Sequence, residues 1–269
     1  MANVDELSAL TAAERLADLF ADTVGADVRS VILHGSLSAG DFRAGSSDID
    51  LLIVIEGGLS DAQSTVLERL VRQADLGSAA GIDVHVVTAE IAGAPSRTPA
   101  LELYIGRYDR SSTGFEVERR VAASPDLPAE LSMARADGRS LRGAPPREVI
   151  APVPPGWIVD RGRHWLMTWR SLTDDTENAA FMALTACRIW RFAVDNVHCS
   201  KAQAARWALD RDPSLTVVRQ AVQQYEQDPT AIVGEQGITR LIDTVLQETA
   251  PTWRPAEPAS VRHSDVDNS

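Results

Sequence analysis

A short apolar run constrains the fold of this chain more than any other feature. Residues 49–55 read Ile-Asp-Leu-Leu-Ile-Val-Ile, which is too apolar and too rich in β-branched side chains for a half-exposed strand. The run therefore predicts a buried strand. Two acidic residues, Asp48 and Asp50, lie at its beginning, and charges on such a strand are unfavourable unless they meet water or a metal ion.

The segments around this strand predict a small mixed sheet covered by helices. Two capping boxes indicate helices, Thr11 with Glu14 and Ser60 with Gln63. Apolar residues at helical spacing accompany both signals, and β-branched runs predict the strands. The predicted elements are a helix within 5–24, a strand at 31–33, the buried strand at 49–55, a helix at 60–74 and a strand at 82–87.

A proline-rich stretch divides the chain. Five prolines between residues 145 and 157 fix φ and remove backbone donors, which predicts a stiff connector rather than a regular element. Beyond it, apolar residues recur at helical spacing and predict a bundle, whereas the polar, proline-bearing end predicts disorder. The predicted class is α+β, with a sheet domain at 1–144, the connector at 145–157, a helical domain at 158–250 and a disordered tail at 251–269.

Composition narrows the classes of function. The formal net charge of −12 argues against a protein that grips nucleic-acid phosphates and suits a cationic partner, although an acidic excess also simply maintains solubility. No apolar run approaches the roughly 18 residues that cross a bilayer, and residues 1–25 lack the pattern of a secretory signal. We therefore expect a cytoplasmic monomer with neither a nucleic-acid nor a membrane partner.

Three carboxylates and a Gly-Ser turn form the candidate site. Alternate residues of a strand face the same side, so Asp48 and Asp50 project together and can share Mg²⁺, which prefers oxygen ligands. Asp83, on the next predicted strand, can bring a third carboxylate beside them. Gly35 lets the backbone approach a phosphate, and Ser36 adds a hydroxyl donor. The alternative for Asp-x-Asp alone is an exposed strand end that binds nothing.

The residues around this site carry a family resemblance. Two segments resemble the signature of polymerase-β-type nucleotidyltransferases, namely Leu33-His34-Gly35-Ser36 and Ser46-Ser47-Asp48-Ile49-Asp50-Leu51-Leu52. More narrowly, the chain resembles the aminoglycoside (3'')(9) adenylyltransferases, which modify streptomycin and spectinomycin. The similarity covers nearly the whole chain and includes Ile82-Asp83-Val84, Glu102-Leu103-Tyr104-Ile105-Gly106, Arg188-Ile189-Trp190, Lys201 and Trp207-Ala208-Leu209-Asp210-Arg211.

The resemblance implies an N-terminal nucleotidyltransferase domain and a helical domain that clamp ATP between them. Asp48 and Asp50 would hold Mg²⁺. The residues implied to contact ATP are Ser36 and Ser47 from the first domain and Arg188, Lys201 and Tyr225 from the second. Without the resemblance, the two basic residues would be interpreted as ordinary surface charges of helices.

Asp83 is the expected general base of this reaction. It would accept the proton of the attacking hydroxyl as pyrophosphate leaves. A member of that family has glutamate at this position, so the shorter Asp83 can lie nearer the metal and serve partly as its ligand.

The acceptor is expected to be an aminoglycoside-type cation, spectinomycin before streptomycin. The streptomycin-modifying branch has tryptophan where this chain has Tyr108 and in the loop corresponding to residues 173–178, which here keeps acidic residues but no tryptophan. An aromatic wall and carboxylates would bind a cationic sugar. The expected substrate contacts are Tyr108, Asp174, Asp175, Glu177 and Asn178, with a merely solvated loop as the alternative for the acids.

A non-catalytic protein of the same fold is the alternative function. It would be a nucleotide-sensing module or an antitoxin-like partner of a helical protein. The presence of all three acids and of the Ser36 turn favours catalysis, because a binding module does not need a proton acceptor aimed at a second substrate.

Overall fold

A mixed six-stranded sheet forms the centre of the N-terminal part of the computed structural model, which describes residues 3–108, 114–228 and 230–250. The strand order is β5-β4-β3-β2-β1-β6; β2 and β3 are parallel, and the other neighbours are antiparallel. The strands are β1 (Val28–His34), β2 (Asp48–Ile55), β3 (Gly81–Thr88), β4 (Leu101–Tyr108), β5 (Phe115–Val121) and β6 (Arg139–Gly143). The predicted mixed sheet is confirmed, and the buried run forms β2 near its middle.

Helices cover both faces of this sheet. One face packs against α1 and α3 through residues such as Phe20 and Leu67, and the opposite face packs against α5 through Leu127 and Leu131. The side chains of residues 51–55 are therefore buried on both faces, which explains why the strand does not alternate. The helices of this part are α1 (Val4–Val24), α2 (Gly35–Ala39), α3 (Asp61–Gln73), α4 (Ala89–Gly93), α5 (Leu127–Asp137) and α6 (Pro146–Val149), with a 3₁₀ turn at Gly25–Asp27.

The two predicted capping boxes have different outcomes. Ser60 and Gln63 form one at the start of α3, where each side chain bonds the backbone N–H of the other residue. The prediction for Thr11 and Glu14 is wrong. Helix α1 begins earlier, with Asn3 as its N-cap, and the Thr11 hydroxyl donates 2.8 Å to the carbonyl of Leu7 inside the helix. A threonine hydroxyl inside a helix can donate to the carbonyl four residues earlier, so the Thr-x-x-Glu pattern alone does not mark a helix start.

The proline-rich connector is more regular than predicted. Prolines 146 and 155 lie in the first turns of α6 and α7, so regular structure lies inside residues 145–157. Proline is tolerated there because the N–H that it lacks has no partner within the helix. The exact domain boundaries stay a prediction.

Within the part of the chain that the structure describes, five helices form the bundle that follows, which confirms the predicted helical region. Helix α8 is central and packs against the four others, burying small and apolar side chains such as Ala183, Cys187 and Trp190. The helices are α7 (Pro155–Trp169), α8 (Ala179–Asp195), α9 (Lys201–Arg211), α10 (Thr216–Glu226) and α11 (Glu235–Glu248). Across the described residues, no helix combines the length and apolarity that a membrane crossing requires. The predicted disordered tail, 251–269, lies outside the described residues.

Among the described residues, three ionic contacts join the N-terminal part to the bundle, and one of them pairs Arg97 with Asp160 of α7 at 2.7 Å. Arg161 of α7 donates two hydrogen bonds, 2.6 and 2.7 Å, to the carboxylate of Asp126, just before α5. On the other side, Arg43 lies 2.7 Å from the carboxylate of Glu226 at the end of α10. A cleft lies between the N-terminal part and the bundle and is lined by residues of both, Arg43 among them.

Candidate active site

The sheet register brings the three predicted carboxylates to one face. Asp50 of β2 pairs directly with Asp83 of the parallel strand β3, and it pairs with His34 of β1 on its other side. Asp48 lies two residues before Asp50 and therefore faces the same way. The apolar residues further along this face pack under α5, so the polar groups are concentrated at one end of the sheet.

Asp50 lies in a strongly unfavourable environment for a charge. Its pKa is raised well above the usual range, first by burial and then by the negative charges of Asp83, Glu130 and Asp48, while Arg188 acts in the opposite direction. Crowded carboxylates of this kind need a cation or a proton to offset their repulsion. The donor set consists of hard oxygens, which suit Mg²⁺ better than a transition metal.

The side chains of the protein supply only part of the ligands that a divalent metal ion requires. Within residues 3–108, 114–228 and 230–250, no group of three or more Asp, Glu, His or Cys side chains is arranged as a ready metal cage. Mg²⁺ is commonly held by one or two carboxylates, with phosphate oxygens and water completing the octahedron. Asp48 and Asp50 fit that mode, because they face one cleft from the same strand.

The Gly35 turn fits closely against Asp50. Gly35 begins α2 with φ of +67°, and a Cβ added there would lie 2.7 Å from Cγ of Asp50 and nearer still to its Oδ2. Only glycine allows both the conformation and the approach. Ser36 follows in the first turn of α2, and the buried Ser47 hydroxyl accepts a 3.0 Å hydrogen bond from the Arg43 N–H, so its own proton is available to a ligand.

Basic and aromatic residues of the bundle form the opposite wall of the cleft, whose volume is about 530 Å³. Arg188, Lys201 and Tyr225 line it together with Ser36, Ser47, Asp48 and Asp50. The Lys201 ammonium lies 4.8 Å from the ring centre of Tyr225, and burial and the charge of Arg188 lower the Lys201 pKa to about 8. The structure thus brings all five residues predicted for ATP binding to one cavity.

Asp83 lies beside this cavity and does not line it. Its Oδ1 accepts a 2.6 Å hydrogen bond from the Tyr104 hydroxyl and another from the Tyr108 hydroxyl, and the two tyrosine oxygens are 2.7 Å apart. Burial, followed by the charge of Asp83, raises the pKa of both tyrosines. Residues 109–113, which follow Tyr108, lie outside the described residues.

The predicted substrate loop has local partners of its own. Asp175 accepts hydrogen bonds from the Asn178 backbone N–H, 3.1 Å, and side-chain amide, 2.7 Å, just before α8. These bonds lower the Asp175 pKa. None of Asp174, Asp175, Glu177 and Asn178 lines the cleft. Their contact with a substrate stays a prediction.

Glu130 and His34 are cleft residues that the sequence analysis did not predict to contact a ligand. Glu130 belongs to α5, a helix that was not predicted, and burial followed by the charge of Asp83 raises its pKa to about 7. His34 is buried; its Nδ1 lies 3.8 Å from Glu130 Oε2, and neither ring nitrogen has a hydrogen-bond partner among the described residues. A usable signal was present, because Glu130 lies on the same helical stripe as the apolar residues Leu127, Leu131 and Ala134.

Comparisons with known proteins agree with this geometry. A profile of nucleotidyltransferase domains matches residues 13–104, and a profile of the aminoglycoside adenylyltransferase C-terminal domain matches residues 148–248. No curated protein sequence matches the chain. The two profiles flank the cleft, one on the carboxylate side and one on the basic side.

One solved structure with a similar fold extends the comparison to most of the chain. A structure of spectinomycin adenyltransferase AAD(9) from Enterococcus faecialis with ATP and spectinomycin has a TM-score of 0.66 and 15% identity, covering 88% of this chain and 98% of that one. A toxin–antitoxin structure with AMP-PNP is less similar, with a TM-score of 0.29 and 14% identity, covering 60% of this chain and 96% of that one. A STING-associated CdnE c-di-GMP synthase from Capnocytophaga granulosa has a TM-score of 0.36 and 14% identity, covering 91% of this chain and 80% of that one. At such identities the likeness to AAD(9) shows a shared fold.

Proposed function

This chain belongs to the aminoglycoside adenylyltransferases, a family of nucleotidyltransferase enzymes, and from that premise we propose that it transfers AMP from ATP, with Mg²⁺, to a hydroxyl of spectinomycin. Pyrophosphate is the second product. The proposal rests on the opposed charges across one cleft, where Asp48 and Asp50 face Arg188 and Lys201. A triphosphate with its metal has the charge distribution to fill that space.

The residues of the cleft would first bind and orient ATP. Arg188 and Lys201 would pair with phosphate oxygens, and the hydroxyls of Ser36 and Ser47 would donate to them. Tyr225 packs under the Lys201 ammonium and keeps it directed into the cleft. Held by Asp48 and Asp50, Mg²⁺ would supply neutralisation of phosphate charge.

Asp83 would then take the proton of the acceptor. As the acceptor oxygen bonds to the α-phosphorus, its O–H bond breaks, the proton passes to Asp83, and the bond from phosphorus to pyrophosphate breaks. Because Asp83 lies on β3, beside the cleft, we expect the acceptor to approach from the end of the sheet where β3 begins and β4 ends.

Two features favour spectinomycin over streptomycin. The loop at residues 173–178 lacks the tryptophan of the streptomycin-modifying branch, and therefore lacks an aromatic ring that would stack on a large cationic sugar. The AAD(9) structure contains spectinomycin, although its likeness to this chain extends only to the fold. Pyrophosphate release with each drug in turn tests the preference; activity on streptomycin alone would refute it.

Drug-dependent pyrophosphate release tests the reaction itself. We expect release from ATP and Mg²⁺ with spectinomycin for the wild type, and a decrease of about 100-fold or more for Asp83→Asn, because a general base contributes about that much. Asp160→Asn is the matched control, since it neutralises an exposed aspartate that pairs with Arg97 away from the cleft. Retained ATP binding with no drug-dependent release would favour the nucleotide-sensing alternative.

The cellular setting follows from the same proposal. An enzyme that consumes ATP would work in the cytoplasm, and the formal net charge of −12 disfavours a nucleic-acid partner. We propose that the chain is a monomer. Light scattering of the purified chain checks the monomeric state.

A further inference from the structure

Three oxygen atoms form a closed cluster beside the cleft. They are Oδ1 of Asp83 and the hydroxyl oxygens of Tyr104 and Tyr108. Each tyrosine donates to the same carboxylate oxygen, so Oδ1 is engaged, whereas Oδ2 accepts no hydrogen bond from the residues that the structure describes. Hydrogen bonds to an ionised carboxylate are stronger than those between neutral groups, so this cluster holds the carboxylate in one orientation.

The strand pattern produces this cluster. Tyr104 and Tyr108 lie on either side of Gly106 along β4, and Gly106 is the residue directly opposite Asp83. A Cβ at residue 106 would lie 2.6 Å from the Tyr104 hydroxyl and 3.0 Å from that of Tyr108. Glycine therefore provides the space in which both hydroxyls converge on the carboxylate.

The rings are supported from the neighbouring strand. The Tyr104 ring packs on His85, with centroids 5.0 Å apart, and the two residues pair directly across β3 and β4. Asp50 is paired with Asp83 on the other side, and whenever both carboxylates are ionised their like charges repel. The two hydroxyl dipoles oppose that repulsion.

We infer that Tyr104 and Tyr108 are positioning residues, which hold Oδ1 of Asp83 so that Oδ2 faces the acceptor hydroxyl. This inference rests on the proposed function, because it assigns Asp83 the role of proton acceptor. It gives the Tyr108 hydroxyl a different role from the aromatic wall expected from the sequence. It also adds Tyr104, which the sequence analysis did not place in the site.

Nuclear magnetic resonance tests the cluster without any turnover. The chain has three tyrosines, Tyr104, Tyr108 and Tyr225. The tyrosines are labelled with carbon-13 at Cζ, and spectra are recorded in an equal mixture of H₂O and D₂O. A hydroxyl that exchanges slowly with solvent then gives two Cζ signals for its ring, one for the protonated and one for the deuterated form. We expect doubled signals for Tyr104 and Tyr108 in the wild type and single signals for both in Asp83→Ala. Asp83→Asn, which preserves shape and weakens the acceptor, replaces the alanine variant if that does not fold. Single signals for both in the wild type would overturn the inference.

Kinetics separate positioning from substrate contact. Tyr104→Phe and Tyr108→Phe are each expected to lower kcat about tenfold, the effect of one hydrogen bond to a charged group, with KM for the drug and the Kd of ATP unchanged. Ser171→Ala, which removes an exposed hydroxyl at the end of α7, is the control. A raised KM at unchanged kcat for Tyr108→Phe, with Tyr104→Phe like the wild type, contradicts the positioning role. If the wild type shows both doubled signals but no drug-dependent release of pyrophosphate, the hydrogen-bonded cluster is present and the proposed reaction is wrong.

Discussion

Substitution of Gly35 by alanine tests the contact on which the site geometry depends. Gly35 has φ of +67°, a conformation that costs a non-glycine residue about 1–2 kcal/mol. The new methyl would also lie 2.7 Å from Cγ of Asp50. Carbon atoms in contact are normally about 3.5–4.0 Å apart, so the Asp50 carboxylate or the turn must move by about 1 Å.

The same helix supplies a matched control. Gly40 follows α2 as its C-cap with φ of +75°, and a Cβ there would meet nothing within 4 Å. Gly40→Ala therefore shares the conformational strain and lacks the collision. Overpacking adds about 1–3 kcal/mol. We expect the free energy of unfolding to fall by about 1 kcal/mol for Gly40→Ala and about 3 kcal/mol for Gly35→Ala.

Two assays follow from this comparison. Urea unfolding measures the stability difference, and drug-dependent pyrophosphate release at a temperature where both variants are folded measures the effect on Asp50. A 1 Å displacement of a reacting group can lower the rate about 100-fold, so we expect that loss for Gly35→Ala and little change for Gly40→Ala. Equal stability and equal activity of the two variants would refute the reasoning.

Three further predictions concern charge and capping. Burial lowers the Lys201 pKa from 10.5 to about 8, so the ammonium of the folded chain loses its charge as pH rises through about 8. The affinity for ATP, measured by calorimetry, should therefore fall between about pH 7 and 9. It should fall less in Lys201→Arg, because arginine stays charged. The Glu130 pKa is raised from 4.5 to about 7, so between these pH values the folded chain binds a proton that the unfolded chain has lost, and wild-type stability should decrease as pH rises from 4.5 to 7. Urea unfolding should show a weaker dependence of stability on pH for Glu130→Gln. The same dependence in both proteins would contradict the burial of a charge there. Ser60→Ala removes the capping box of α3 and should cost about 1 kcal/mol in urea unfolding without affecting pyrophosphate release, since Ser60 lies away from the cleft.

Local patterns were sufficient for the parts of the structure that depend on neighbours in sequence. The apolar run at 49–55 predicted the buried strand, because burial on both faces removes the alternation of polar residues. The two-residue period placed Asp48 and Asp50 on the same face of that strand. Helical spacing beyond residue 158 predicted the bundle, and the family was recognisable from the same motifs. The failed capping box at Thr11 shows the limit, since a short pattern is satisfied equally well inside a helix.

Contacts between residues far apart in the chain were decided only by the tertiary structure. The register of β2, β3 and β4 places Asp83 between Asp50 and Gly106, and no local period encodes which strands become neighbours. The approach of Glu130 from α5 and the closure of the bundle over the cleft depend in the same way on packing between separate elements. By itself, the sequence determined which residues could take part in the chemistry. The packing of the sheet and bundle decided which of them meet, because side-chain burial and repulsion between carboxylates depend on distances in space that sequence separation does not determine.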